Sequence, residues 1–430
     1  MGIIASILWG SLSSTGKRII MNTDIKILKQ KILWITTVLF ASIILMIAYY
    51  YIDNLPKWNM PGKETISLRA EVVEITNIEK RSYGSAGEED VYELIISFNA
   101  KLLKGEEKGK IISSTQILGG FLPHNIIKEV EIGDDILVVK DVDLENKEIY
   151  YFSEYYRLGN LLFIVILFSA GLLLFGRRKG LNTLLSLIFT IAVILFVFVP
   201  SILTGINVYL SSILTCFYTI IVTLLIVNGY SKKTLISIIG CMAGVLISGI
   251  LCVTFSSVLS ITGLVDEDSI HLLNLIKDMD MVSIVFAAMI IGSMGAIMDV
   301  AMSIASSLHE ISINVEKPTF SMLMKSGINI GRDLMGTMAN TLILAYIGSF
   351  LTIVVLYTAS NESVIQILNR EMLVIEILQG VVGSFGILLT LPITSLLASV
   401  MLTNNNFKKD NEQIPKTLLD IQEATKKAKY

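Results

Sequence analysis

The feature that most constrains this chain is a series of eight long apolar runs with few or no charged side chains. A helix needs about 20 mostly apolar residues to cross the hydrocarbon core of a bilayer. The runs have that length, and they explain why the composition is 53% hydrophobic and only 17% charged. The sequence therefore predicts an α-helical multi-pass membrane protein with eight spans, at residues 33–51, 158–176, 181–200, 207–228, 234–260, 281–304, 334–357 and 372–402.

The distribution of basic residues gives these predicted spans an orientation. Residues 1–32 carry five Lys or Arg and one Asp, and the short loops expected on the same side are also basic. Because cytoplasmic loops carry an excess of Lys and Arg, both termini are predicted to be cytoplasmic, with residues 403–430 as a tail. Two interpretations of residues 1–20 stay open, namely a membrane-surface helix at residues 3–9 or a translation start at Met21.

Residues 52–157 form the one sizeable polar segment, and they lie between the first two predicted spans. Apolar side chains at every second position of residues 92–98 indicate a strand with one buried face. Turn residues separate this strand from further strand-like runs at 67–78, 110–118, 136–142 and 148–156. We expect a small extracytoplasmic β domain, an OB-like barrel or a sandwich, that acts as a structural cap, a partner-docking module or a ligand sensor.

The sixth predicted span carries the polar chemistry of the membrane half. Helical spacing places a set of small and polar residues on one face, namely Gly292, Gly295, Ala296, Asp299, Ser303, Ser306 and Glu310. Asp299 lies within the span, where a carboxylate costs at least about 2.5–3.5 kcal/mol and usually faces a cavity or a partner. Two roles stay open for Asp299: a coupling or binding site for a proton, cation or substrate, and a residue that pins helices together. Glu310 is expected at the membrane edge.

The stretch that leads into the seventh predicted span carries a second polar set. Gly331 permits a break or a tight turn, and Asp333 would then lie near a helix N-terminus. Arg332 is expected to reach lipid phosphates or to pair with Asp299 or Asp333. Asn340, two turns deeper, can bridge helices by hydrogen bonds. The candidate intramembrane polar site therefore comprises Asp299, Ser303, Ser306, Arg332, Asp333 and Asn340.

Other features of the spans are weaker. The small residues Gly240 and Gly244, like Gly292 and Gly295, predict close helix packing. Glu376 is either a second intramembrane carboxylate or a residue of a solvent-lined interface. The three cysteines lie inside apolar runs without metal-ligand spacing, so we expect no metal and no cofactor. The expected partners are the lipid bilayer and an unidentified protein at the outer domain, without nucleic acid, and an oligomer is possible.

Two segments of these polar regions resemble the YibE/F-like family of bacterial multi-pass membrane proteins: GAIMDVAMSIASSLHEI at 295–311 and SGINIGRDLMGTMANTLILAYIG at 326–348. The outer segment, with KGEEKGKI at 104–111 and VEIGDDILVV at 130–139, is similar to that family's strand-rich domain. The resemblance runs from about Met21 onward and implies a bacterial cell-membrane protein, without implying a substrate. It marks four motif positions: Asp299, Arg332, Asp333 and Asn340.

Three classes of function compete at this point. A secondary transporter would use Asp299 as its coupling site, whereas a membrane scaffold or sensor would use the outer domain to bind a partner. An intramembrane aspartyl protease would need two facing aspartates, which leaves Asp299 and Asp333 as the pair. The sequence contains no HExxH motif and no nucleotide-binding loop. We therefore expect a protein that is not an enzyme.

Overall fold

The computed structural model describes residues 14–55, 66–82, 92–105, 107–119, 128–142, 148–276 and 279–403. The chain divides into two compact units, a β unit of residues Pro61–Phe175 and a helical unit of residues Met1–Met60 and Gly176–Tyr430. The predictions about residues 3–9, the turn at 84–87 and most of the tail lie outside the described residues.

The β unit is a closed five-stranded barrel with the strand order β1-β2-β3-β5-β4, and β4 returns to β1. Strands β3 and β5 pair in parallel, and the other neighbours are antiparallel. This is an OB-like arrangement, so the predicted small barrel is confirmed and the sandwich is not. The strands are β1 (Ile66–Ser82), β2 (Tyr92–Leu102), β3 (Ile111–Gly119), β4 (Asp135–Val142) and β5 (Glu148–Tyr155).

The alternating pattern of the strands explains the barrel core. Ile96 and Phe98 point inward and are almost completely buried, as the period of two predicts. Two register shifts in β1, after Val72 and after Ile75, let this 17-residue strand twist and pair along both of its edges. A turn at Gly133, where φ is +92°, starts the return into β4.

Outside the barrel, the described chain consists of helices and the loops that connect them. The long ones are α1 (Ser14–Asp53), α2 (Leu158–Val193), α4 (Val208–Asn228), α5 (Lys232–Val258), α7 (Met281–Asn314), α8 (Phe320–Ser349) and α11 (Glu371–Thr403). The short ones are α3 (Val199–Leu203), α6 (Glu267–Leu275), α9 (Leu351–Ala359) and α10 (Val364–Leu368). A single π-helical turn at Ile194–Phe198 joins α2 to α3.

Six helices of the described chain are long and apolar enough to cross a membrane, or seven if α8 and α9 together form one bent span. The chain is therefore a membrane protein, and its count of eight spans stays a prediction. The predicted number of spans and the number of candidate helices differ at residues 158–176 and 181–200, which the sequence predicts to be two spans. Both lie in the 46-residue helical stretch Leu158–Leu203, which is interrupted at Arg177, where φ is +48°.

The expected break at Gly331 is wrong. Helix α8 begins after Thr319, whose hydroxyl accepts a hydrogen bond from the Met322 N–H, and it runs through Gly331 without interruption. Gly331 is buried against Leu391 of α11, so its missing side chain serves close packing and not a turn. Asp333 consequently lies far from the helix N-terminus. The break comes at Phe350, where α8 and α9 meet at an angle of 53°.

Helix α11 lies among α5, α7 and α8, and it supplies much of the buried surface of the helical unit. It continues as one helix through Pro392. Lipid is as apolar as a leucine side chain, so these helices associate by close packing and hydrogen bonds more than by hydrophobic burial. This arrangement brings Tyr346 of α8 and Gln379 of α11 together beside α7.

Candidate functional site

One face of α7 is a stripe of exposed residues that lacks bulky side chains. Its members are three or four residues apart once the half-buried Ser303 and Ser306 are included, and the exposed ones are Ala288, Gly292, Gly295, Asp299 and Glu310. The opposite face of α7 is buried against α4, α5 and α11. From Gly292 to Glu310 the stripe extends about 27 Å along the helix axis, close to the thickness of a hydrocarbon core.

A polar cluster closes one end of this stripe where α7, α8 and α11 meet. The Gln379 amide nitrogen donates to the Tyr346 hydroxyl at 3.1 Å and to the carbonyl oxygen of Ala288 at 3.4 Å. These two side chains lie over Gly292, where a Cβ would be 2.7 Å from the tyrosine oxygen. A Gly292 side chain would therefore displace the tyrosine–glutamine pair.

Glu376 belongs to the same region of α11, one turn before Gln379. Its carboxylate accepts a hydrogen bond from the Ser349 hydroxyl at 3.2 Å, just before α8 breaks at Phe350. A half-buried carboxylate thus lies beside a broken helix end. Discontinuous helices next to polar side chains are a recurrent way of building binding sites within membranes.

Next along the stripe, Gly295 is open, because no atom lies within 4 Å of a Cβ placed there. Among the described residues, Gly295 therefore does not serve helix packing. Asp299 follows one turn later and is exposed. Its carboxylate takes part in no ion pair or hydrogen bond with the described residues.

The structure does not bring Arg332, Asp333 and Asn340 together with Asp299. All three are exposed on α8, and the described part of the chain contains no ion pair between Arg332 and either aspartate. Of the two roles left open for Arg332, the described residues do not show its pairing with an aspartate, and contact with lipid phosphates stays a prediction. Helix α8 instead uses its opposite face, with Gly327 and Gly331, to approach Ser395 and Leu391 of α11.

Residues 164–404 match the family model of the YibE/F-like proteins. The match covers more than half of the 430 residues. The chain belongs to the YibE/F-like family. Comparisons with curated proteins and with solved structures find no match.

The YibE/F-like match contains the whole α7 stripe and the polar cluster, since it begins in α2 and ends just after α11. It does not include the barrel strands, which end at Tyr155. The sequence resemblance noted for the outer segment therefore has no counterpart in the family match. Family membership defines a kind of membrane protein and gives no substrate.

The predicted packing glycines of α5 lie against α11. A Cβ at Gly240 would meet the Thr394 side chain, and a Cβ at Gly244 would meet Thr390 and also Ile297 of α7 at 2.9 Å. The Thr394 hydroxyl is buried and has no hydrogen-bond partner among the described residues. These contacts hold α5 and α11 close together behind the stripe.

Sequence reasoning missed Tyr346 and Gln379. Both lie in apolar runs, and an uncharged amide or phenol gives little signal there. One clue was available, because Gln379 follows Glu376 by three residues and so shares its helix face. Tyr346 becomes recognisable only when α8 is placed beside α7 and α11.

The barrel carries a separate cluster of charges. Lys140 and Lys110 donate to the Glu148 carboxylate at 2.7 and 3.2 Å, and Tyr150 donates to it at 3.0 Å. Lys140, then Lys110 and Tyr150, therefore lower the pKa of Glu148 from 4.5 to about 2. Glu107 and then Glu148 raise the pKa of Lys110, and Glu148 raises the pKa of Lys140. The cluster joins the ends of β4 and β5 to the β2–β3 turn.

An open groove of about 1200 Å³ crosses another part of the barrel surface. The Arg69 guanidinium lies 4.0 Å from the centre of the Tyr156 ring and pairs with Asp135 at 2.6 Å. Lys128 lies 4.8 Å from the centre of the Tyr155 ring. The groove thus offers aromatic faces together with charges of both signs. Within the described residues, no group of three His, Cys, Asp or Glu side chains could hold a metal ion.

Proposed function

We propose that this YibE/F-like protein is a secondary transporter in which Asp299 binds the coupling ion or the substrate. The exposed stripe of α7 carries the proposal, because its one central charge has no partner among the described residues. A lone carboxylate is unfavourable against lipid and is tolerated where it lines a water-filled path. The open position at Gly295 leaves room for a solute beside it.

The other acidic groups support a proton or another cation as the coupling ion. Glu376 lies near one end of the α7 stripe, and Glu310 is exposed at the other end. Carboxylates at both ends and at the centre would attract cations along its length. The proposal involves no catalytic step and no cofactor. From the distribution of Lys and Arg we also propose cytoplasmic termini, and from the YibE/F-like resemblance a bacterial cell membrane.

Thermal unfolding of the purified protein tests this proposal. The wild type, Asp299→Asn and the control Asp268→Asn would be compared in sodium and in choline buffers, from pH 5.5 to 8.5. A cation or proton that binds the native state raises its Tm. We expect a sodium- or pH-dependent change in Tm for the wild type and the control, and its loss in Asp299→Asn. The same dependence in all three proteins would contradict a site at Asp299.

A second candidate function is a membrane sensor or scaffold, and the groove on the barrel favours it. A photoreactive amino acid at Tyr151, which lines the groove, would form a discrete covalent adduct with a protein partner in cells. The matched control is Ile78, which is exposed elsewhere on the barrel. Equal labelling at both positions would contradict a partner site in the groove.

A further inference from the structure

The exposed face of α8 differs from the exposed surfaces of helices α1 and α2. Helices α1 and α2 expose large apolar side chains, as expected for contact with lipid. Helix α8 instead exposes polar and small residues over three turns, namely Arg332, Asp333, Gly336, Thr337, Asn340 and Thr341. This face lies opposite the residues that pack on α11, so it points away from the rest of the helical unit.

Asn340 lies well inside the span. The next turn of α8 reaches the centre of α11, because a Cβ at Gly383 would be 2.6 Å from the Leu342 side chain. The Asn340 amide takes part in no hydrogen bond with the described residues. Neighbouring Thr337 and Thr341 satisfy their hydroxyls by donating to carbonyl oxygens of α8 itself. Asn340 is therefore the polar group of this face that still needs a partner.

Lipid cannot supply that partner, because the hydrocarbon core contains no hydrogen-bonding groups. Asparagine side chains within spans bond across helices, and small residues allow two helices to approach closely. Gly336 lies one turn from Asn340 on the same face, and nothing lies within 4 Å of a Cβ placed there. The face thus combines an unsatisfied amide with room for a second backbone.

The exposed charges of the α8 face are complementary to those of the same face on a second copy. Arg332 and Asp333 are adjacent and exposed, and neither has an ion-pair partner among the described residues. Two copies of the protein in the same orientation are related by a two-fold axis along the membrane normal. Such an axis beside α8 would bring Asn340 opposite its equivalent, and Arg332 of each copy towards Asp333 of the other.

We propose that the protein forms a homodimer through this face of α8, with Asn340 bonded to its equivalent and Arg332 paired with Asp333 of the second copy. The dimer does not depend on the proposed transport. The α7 stripe and the α8 face are separate surfaces, so Asp299→Asn leaves the dimer intact.

Disulfide cross-linking of the full-length protein in proteoliposomes tests the dimer. Asn340→Cys would be oxidised beside the control Ile250→Cys, which exposes a cysteine on α5. The three native cysteines are buried and provide a common background. We expect a covalent dimer from Asn340→Cys and none above background from Ile250→Cys. Equal cross-linking of the two, or none at Asn340→Cys, would overturn the proposal.

A second measurement removes the amide without adding a thiol. Energy transfer between labelled copies would be followed while the proteoliposomes are diluted with lipid. Asn340→Leu should weaken self-association by about tenfold, the loss expected for a hydrogen bond between spans. Self-association that is absent in the wild type, or unchanged in Asn340→Leu, would overturn the dimer through Asn340.

Discussion

At the scale of single residues, small side chains of the helical unit serve two different purposes. Gly240, Gly244 and Gly386 lie against side chains of neighbouring helices, and each leaves no room for a methyl group. Gly295 and Gly336 face open space. The presence of a glycine alone does not separate the two groups, because both occur in the long apolar helices. Substitution by alanine does separate them.

Gly240→Ala should destabilise the protein by about 1–3 kcal/mol, because the new Cβ would meet the Thr394 side chain, whose Cβ is 3.2 Å away. Thr394→Ala should restore the Tm in the double variant, because the threonine hydroxyl has no hydrogen-bond partner among the described residues. The control Gly295→Ala should not lower the Tm, because its Cβ enters open space and alanine favours the helix. A Gly240→Ala protein as stable as the control would contradict the close approach of α5 and α11.

The Glu148 cluster predicts acid sensitivity of the barrel. The folded state lowers the pKa of Glu148 from 4.5 to about 2, so its stabilising effect is present above pH 4.5 and is lost as the pH falls towards 2. Hydrogen exchange of β4 and β5, corrected for intrinsic rates, would measure this loss. Glu148→Gln should lower protection at pH 6 and reduce its pH dependence.

The control for this experiment is Glu154→Gln, at the other end of β5, where the carboxylate is exposed and pairs with Arg157. It should follow the wild-type profile. If Glu148→Gln and Glu154→Gln both match the wild type, the charge cluster does not stabilise the barrel.

At the scale of elements, sequence patterns predicted the features that a strand or helix has by itself, such as its period and its polar face. The five strands follow from a period of two, which a half-buried strand imposes on its own residues. Helical spacing likewise placed Asp299 and Glu310 on one face. Whether that face meets a helix, lipid or a solute depends on which helices pair. Apolar residues face both lipid and protein in a bilayer, so their pattern does not encode the pairing.

The sequence predicted a boundary between two spans near the interruption of α2, but not the backbone conformation of Arg177. Arg177 adopts φ +48° and ψ −123°, a conformation that glycine favours and other residues rarely adopt. Charges at residues 177–179 indicated only that a loop was expected there. The structure has two helical stretches that meet at a kink at Arg177, close to the predicted boundary between the second and third spans.

Arg177→Gly should raise the free energy of unfolding by about 1 kcal/mol, because glycine adopts this conformation without steric cost. The control Arg178→Gly lies in ordinary helix and should lower it by a similar amount. Thermal unfolding of the two variants checks the pair. A lower Tm for Arg177→Gly than for Arg178→Gly would contradict the interruption at Arg177.

At the scale of the whole molecule, the chain combines a closed barrel with a bundle of apolar helices. Each unit has its own hydrophobic core. The helical unit contains the residues that match the YibE/F-like family, and it also contains the exposed carboxylate within a span. Transport through the helical unit is therefore the central proposal, and water access to Asp299 is its most direct consequence.

The decisive measurement is the reactivity of single added cysteines towards a hydrophilic maleimide in proteoliposomes. Gly295→Cys, Asp299→Cys and Ser303→Cys would be compared with Phe168→Cys, which lies on an exposed apolar part of α2. We predict that the three positions on the α7 stripe react and that Phe168→Cys remains at the wild-type background. Stripe cysteines as unreactive as Phe168→Cys would mean that α7 faces lipid or protein, and the transport path along Asp299 would be wrong.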